Sequence, residues 1–170
     1  NQTKAATMAI ADHQGPVYLR FGRPKVANFI TDDIPFKIGK GIVLNPGNDV
    51  TIVATGHLVW EALQAAEALE AEGVSAEVVN IHTIKPLDTE LLVSSVQKTG
   101  CIISAEEHNY LGGLGESIAA ALALELHTPQ EFIATKDTFG ESGTPAQLME
   151  KYGLNKNAII SACKKVMNRK

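Results

Sequence analysis

Residues 104–117 read SAEEHNYLGGLGES, which sets two adjacent carboxylates, an imidazole and three glycines in one short stretch. Glu106, Glu107 and His108 are residue types that hold and pass protons, and so suit general acid–base work. Gly112, Gly113 and Gly115 come just before an alanine-rich run. If that run is a helix, its free N–H groups and its dipole can hold an anion. The glycines also have a plainer use, letting a strand turn tightly into a helix that packs close to it. The residues leave all three uses open. A dinucleotide fingerprint fits poorly: it needs G-x-G-x-x-G with an acidic residue about twenty positions on, and the run here is GGLGES. No Lys–Ser/Thr pair follows the glycines, so a P-loop is excluded.

Arg20 and Arg23 lie in YLRFGRP, directly after a short apolar run. A forked guanidinium there suits a phosphate monoester. A solvated or salt-bridged surface pair is the other reading. His57 stands at a helix start, where it either caps the backbone or faces a ligand or partner. His82 follows a strand end and is equally open, while His13 and His127 read as caps at helix ends. No His or Cys pair has H-x-x-x-H or C-x-x-C spacing, so no metal site held by this chain alone is expected. A G-x-S-x-G elbow is absent as well.

These residues must be positioned by regular elements, and the patterning supplies them. TKAATMAIADH has helical spacing and stops at Gly15-Pro16. PVYLRF is β-prone. GRPKVANFITDDIPFKIG then runs about eighteen residues with two prolines and no period, which is long for a loop inside a compact domain. A domain boundary near residues 24–38 is expected. After it, KGIVLN, VTIVAT, AEVVNI, CIISAE and EFIATK read as strands, VTIVAT being apolar enough for burial on both faces. Helices are expected from Leu58 to Glu72 with Gly73 at the C-terminal end, over TELLVSSVQK capped by Thr89 or Asp88, and over LGESIAAALALELH. TPAQLMEKY, with Thr144 as cap, and a basic-ended helix over NKNAIISACKKVMNRK complete the set. Strands alternating with helices predict an α/β, doubly wound, mostly parallel sheet of about five strands. Before it stands a helix and strand left over from a neighbouring domain. Ligands of such sheets bind at the carboxyl ends of the strands, which here are TGH, NIHTIKPLD and AEEHNYLGGLG.

Composition narrows the classes further. The 170 residues carry a net charge of −4, and no basic stripe points to nucleic acid. No apolar stretch approaches the ~20 residues that span a bilayer. Cys101 and Cys163, the only cysteines, are far apart. Cys101 opens the apolar run CIIS, so a buried free thiol there, in a reducing cytoplasm, is expected. The opening NQTKAATMAIADHQ reads as a helix already under way, so a longer parent protein is expected.

Taken in order, GPVYLRFGRP, VTIVATGHLVWEALQAAEAL, AEVVNIHTIKPLD, SAEEHNYLGGLGES and TFGESGTPAQLMEKYGL resemble the C-terminal region of transketolase. The short, split type, whose halves are two subunits, is the nearest. The superfamily also holds 1-deoxy-D-xylulose-5-phosphate synthase and the beta subunits of 2-oxo-acid dehydrogenases, and TFGESGTP favours transketolase among them. The resemblance implies that residues 1–24 are the end of a pyrimidine-binding domain, 25–37 a linker, and 38–170 a transketolase C-terminal domain. It implies thiamine diphosphate with Mg²⁺ in the complete enzyme, held by parts outside this chain, and no catalytic residue within it. It implies a homodimer through the C-terminal domain, a complementary half, and sugar-phosphate substrates bound by Arg23 or, second, Arg20. The turn carrying Glu106, His108, Gly112, Gly113 and Gly115 becomes mainly structural and interfacial, with a regulatory anion pocket still open. Two other functions remain beside ketol transfer: the deoxyxylulose-phosphate synthase reaction, and a non-catalytic anion-binding or assembly role.

Overall fold

The computed structural model describes residues 1–22, 26–31 and 34–170. Helix α1 spans Gln2–Ala11, and no strand occurs among the described residues before β1 (Ile42–Asn45). Then follow β2 (Val50–Ala54), α2 (Leu58–Ala71), β3 (Ala76–Asn80), α3 (Thr89–Thr99) and β4 (Ile102–Asn109). The chain finishes with α4 (Leu114–Glu125), β5 (Gln130–Thr135), α5 (Pro145–Lys151) and α6 (Lys156–Met167). The strands form one sheet in the order β1-β3-β2-β4-β5. β3, β2, β4 and β5 are parallel, and β1 runs antiparallel along the β3 edge.

The sheet is covered on both faces, as the apolar runs require. Val50, Ile52 and Ala54 of β2 face α2 and α6, where Leu58, Ala62, Ala65, Leu69, Ile159 and Cys163 are buried with them. Val53 and Val79 face the opposite layer, packed with Leu92 and Val96 of α3 and Leu114 and Ile118 of α4. Every residue of β2 and β3 is buried. The expected doubly wound α/β architecture is present.

Local signals explain most element ends. The Asp88 side chain, not Thr89, caps α3 by accepting from the Leu91 N–H, and Gly100 ends that helix with φ +74°. Thr144 and Gln147 form a reciprocal capping box at α5, with Pro145 in its first turn. Both cysteines are free and buried, and burial pushes the Cys163 thiol up to about 12.

Several expectations need correction. PVYLRF forms no strand and pairs with none among the described residues, and Tyr18 and Phe21 are exposed. β-prone residues form a strand only where another backbone offers a hydrogen-bonding ladder, and among the described residues none pairs with them. The β4 strand runs on through Asn109, so Glu106, Glu107 and His108 are strand residues, and the turn begins after them. His57 makes no side-chain cap at α2. His13 and His127 each lie one residue beyond the caps of their helices, Asp12 and Leu126.

Candidate functional site

The chain leaves the β2/β4 pair in opposite directions. From β2 it passes through α2 to β3 on one side, and from β4 through α4 to β5 on the other. The carboxyl ends of β2 and β4 therefore flank the switch point of the sheet, where the backbone opens a crevice. Ala54 and Ala105 are paired across the two strands. His57 follows the first strand closely, and Glu106, Glu107 and His108 continue the second.

Glu106 is 1% exposed, yet its carboxylate is well satisfied. The Leu114 N–H donates to Oε2 at 2.7 Å and the Gly115 N–H to Oε1 at 2.8 Å. The strand thus places its own anion on the first turn of α4, where free amides and the helix dipole favour negative charge. An external anion at the glycine turn would compete with the Glu106 carboxylate for those two amides. A Cβ on Gly113 would collide with the Glu106 carboxylate and lie 2.7 Å from the Asn109 carbonyl oxygen. A Cβ on Gly115 would meet the Phe132 ring and Ser104 Oγ. Gly112 has φ +74°, which glycine adopts without strain.

Beside this buried carboxylate lies a second, more open cluster. Glu107 accepts from Arg20 Nη1 at 3.3 Å through Oε1, and its Oε2 lies 2.8 Å from His57 Nδ1. Arg20 Nη1 is also 2.5 Å from His108 Nε2. Arginine only donates, so His108 Nε2 accepts and the ring proton sits on Nδ1. That nitrogen faces Glu106 Oε2 at 3.5 Å. Gly22 rests on the other edge of His57, where a Cβ would be 2.5 Å from Nε2.

Of the residues expected to do chemistry, the fold gathers Arg20, Glu106 and His108 at one strand edge, with the glycines behind them. Arg23 lies outside the described residues. The sequence reading grouped Glu107 with Glu106 and His108 as a possible acid–base set and left His57 undecided, and it paired neither with Arg20. Glu107 lies near the end of β4 and His57 follows β2, but the strand order that makes these strands neighbours is not written in either segment.

A third strand end carries different chemistry. Among the described residues, Asn80 Oδ1, His82 Nε2 and Gln2 Nε2 are buried without a hydrogen-bond partner, and Asn80 Nδ2 donates to Gln2 Oε1 at 3.1 Å. The His82 ring packs on Phe36 with centroids 4.3 Å apart, and burial lowers its pKa, so it is neutral. These are neutral amide and imidazole groups, unsuited to a pyrophosphate. Among the described residues no group of three or more His, Cys, Asp or Glu could hold a metal ion. The described donor set does not fit a pyrophosphate–Mg²⁺ group, and what this chain does chemically is assigned to its own residues. Nor is any described helix long and apolar enough to cross a membrane.

Residues 39–159 match the family model for the transketolase C-terminal domain. The chain belongs to that family. It is 41% identical over 169 residues to the 6-deoxy-6-sulfo-D-fructose transketolase subunit of Clostridium sp. (strain MSTE9), covering 99% of this chain and 52% of that protein. It is 34% identical over 169 residues to the 1-deoxy-D-xylulose-5-phosphate synthase of Heliobacterium modesticaldum, covering 98% of this chain and 26% of that one. A solved structure of a split gene transketolase, an inactive β4 tetramer, superimposes with a TM-score of 0.92 at 46% identity. The superposition covers 96% of this chain and 55% of that one. The transketolase-family chain thus spans about half the length of the first of these relatives.

Proposed function

We propose that this chain is the C-terminal part of a transketolase that moves a two-carbon ketol unit from a ketose phosphate to an aldose phosphate. The likeness to the split gene transketolase along almost the whole chain, at 46% identity, is the observation that carries this reading. Thiamine diphosphate with Mg²⁺ supplies the carbanion-stabilising centre in the complete enzyme, and the part that holds it is complementary to this chain. Residues 38–170 serve assembly, including a homodimer contact through the C-terminal domain. Residues 1–24 belong with the pyrimidine-binding domain, and 25–37 link the two. An unpaired β-prone PVYLRF agrees with that division, because its hydrogen-bonding ladder would then lie in the rest of that domain.

Arg23, and second Arg20, bind the phosphate of the sugar. Anchoring the far end of the substrate leaves its carbonyl end at the reactive ring, and such positioning can contribute much of a rate enhancement. Arg23→Ala in the complemented enzyme is expected to raise KM for phosphorylated aldoses far more than for unphosphorylated ones. Losing one charge-assisted contact costs roughly 2 kcal/mol or more. Equal effects on both substrate types would remove Arg23 from the role.

The deoxyxylulose-phosphate synthase reading rests on the 34% identity to such an enzyme over nearly the whole chain. Offering the complemented enzyme a ketose phosphate or pyruvate, each with glyceraldehyde phosphate, separates the two reactions. Turnover of the ketose phosphate is expected, and turnover of pyruvate alone would assign the synthase reaction instead. A purely anion-binding role is the weakest of the three, since Glu106 occupies the amides it would use.

A further inference from the structure

The contacts of Arg20 all fall on one nitrogen. Nη1 reaches Glu107 Oε1 and His108 Nε2. Among the described residues Nε and Nη2 have no hydrogen-bond partner, and the side chain is 48% exposed. A guanidinium is a rigid plane with five N–H donors. Two bonds from Nη1 to groups on the same strand fix that plane and leave its Nε–Nη2 edge open. That edge has the parallel-donor geometry that matches two oxygens of a phosphate.

The groups that hold Nη1 are themselves held. Glu107 has its second oxygen on His57 Nδ1, and the other edge of that imidazole lies against Gly22. His108 extends from a strand whose preceding residue but one, Glu106, is locked onto the first turn of α4. Both anchors thus sit on β4, and His57 follows β2, the adjacent parallel strand in the middle of the sheet. Side chains on such rigid elements are placed more exactly than side chains on loops.

We propose that Glu107, His57 and His108 are positioning residues for Arg20, fixing its guanidinium so that the Nε–Nη2 edge meets the phosphate of the sugar. This deepens the transketolase reading and rests on it. Glu107 supplies the single full negative charge that Arg20 contacts. His57 keeps that carboxylate from rotating away. His108 sets the tilt of the plane by accepting at Nε2. Without them the arginine must be ordered at the moment of binding, and freezing a long side chain weakens affinity.

The test uses the enzyme complemented with its other half and compares a phosphorylated aldose with an unphosphorylated one. Glu107→Gln keeps the shape and removes the charge. It is expected to raise KM for the phosphorylated aldose about ten-fold, with kcat within about two-fold and the unphosphorylated substrate little moved. His57→Gln gives the same pattern at smaller size, and serves if Glu107→Gln folds poorly. In an Arg20→Ala background Glu107→Gln adds nothing further, because the residue it positions is gone. Equal losses on both aldoses, unchanged KM in both variants, or full additivity with Arg20→Ala would overturn the proposal while leaving ketol transfer by the wild type intact. Absence of ketol transfer by the complemented wild type would instead overturn the underlying reading, and the inference with it.

Discussion

At the scale of single residues, Glu106 shows how one side chain decides the use of its neighbours. Buried without partners, a carboxylate would cost several kcal/mol, and here two helix amides offset that cost. Gly113 leaves the space that lets the carboxylate reach them. Gly113→Ala forces a methyl against the Glu106 carboxylate and a backbone carbonyl, which is expected to cost about 2 kcal/mol. Glu106→Gln turns one acceptor into a donor facing an N–H and should cost a similar amount, about 2 kcal/mol. Each variant should lower Tm by roughly 4–8 °C in thermal unfolding, and an unchanged Tm in both would show that this contact does not hold β4 to α4. The sequence made Glu106, His108 and the glycines visible as a group. It could not show that the anion for the glycine turn comes from the strand itself, because that depends on which way the Glu106 side chain points off the pleat.

At the scale of elements, helices and parallel strands were readable from period and caps. Val50–Ala54 and Ala76–Asn80 are buried throughout, as continuous apolar runs predict. The direction of β1 was not readable, since a short run looks alike paired either way. PVYLRF was misread because propensity says nothing about whether a ladder partner is present. Electrostatics ties the last helix to the edge strand. Lys165 Nζ lies 2.8 Å from Glu131 Oε2, and Arg169 Nη1 bonds both Glu131 Oε1 and the Gln130 carbonyl. Partial burial alone would raise the Glu131 pKa, but the hydrogen bonds from Lys165 and Arg169 outweigh it and hold it below the ordinary glutamate range. A carboxyl depressed by folding contributes stability above its unfolded pKa and loses it as pH falls through its folded pKa. Denaturant unfolding of wild type and Glu131→Gln should therefore differ by up to about 1 kcal/mol at pH 7 and converge below the carboxylate range. A gap that stays constant down to low pH would contradict the ion pairing.

At the scale of the whole molecule, the sheet order creates the meeting place of Arg20, His57, Glu107 and His108. A reading of segments one at a time finds each candidate and misses their company, because β2 and β4 become neighbours only when β3 is folded to the far side. The family, by contrast, was legible, since its motifs occur in order along nearly the whole chain and the match over residues 39–159 agrees. The domain structure is similar to that of a split gene transketolase described as an inactive β4 tetramer. On the proposed function, ketol transfer belongs to the complemented enzyme, with the cofactor centre in the other part. The decisive measurement is the initial rate of ketol transfer at a fixed concentration of this chain, with thiamine diphosphate and Mg²⁺, as the complementary transketolase half is titrated in. The rate should be nil without that half, then rise and level off near equimolar ratio. Ketol transfer by this chain alone, or none at any ratio, would contradict the account.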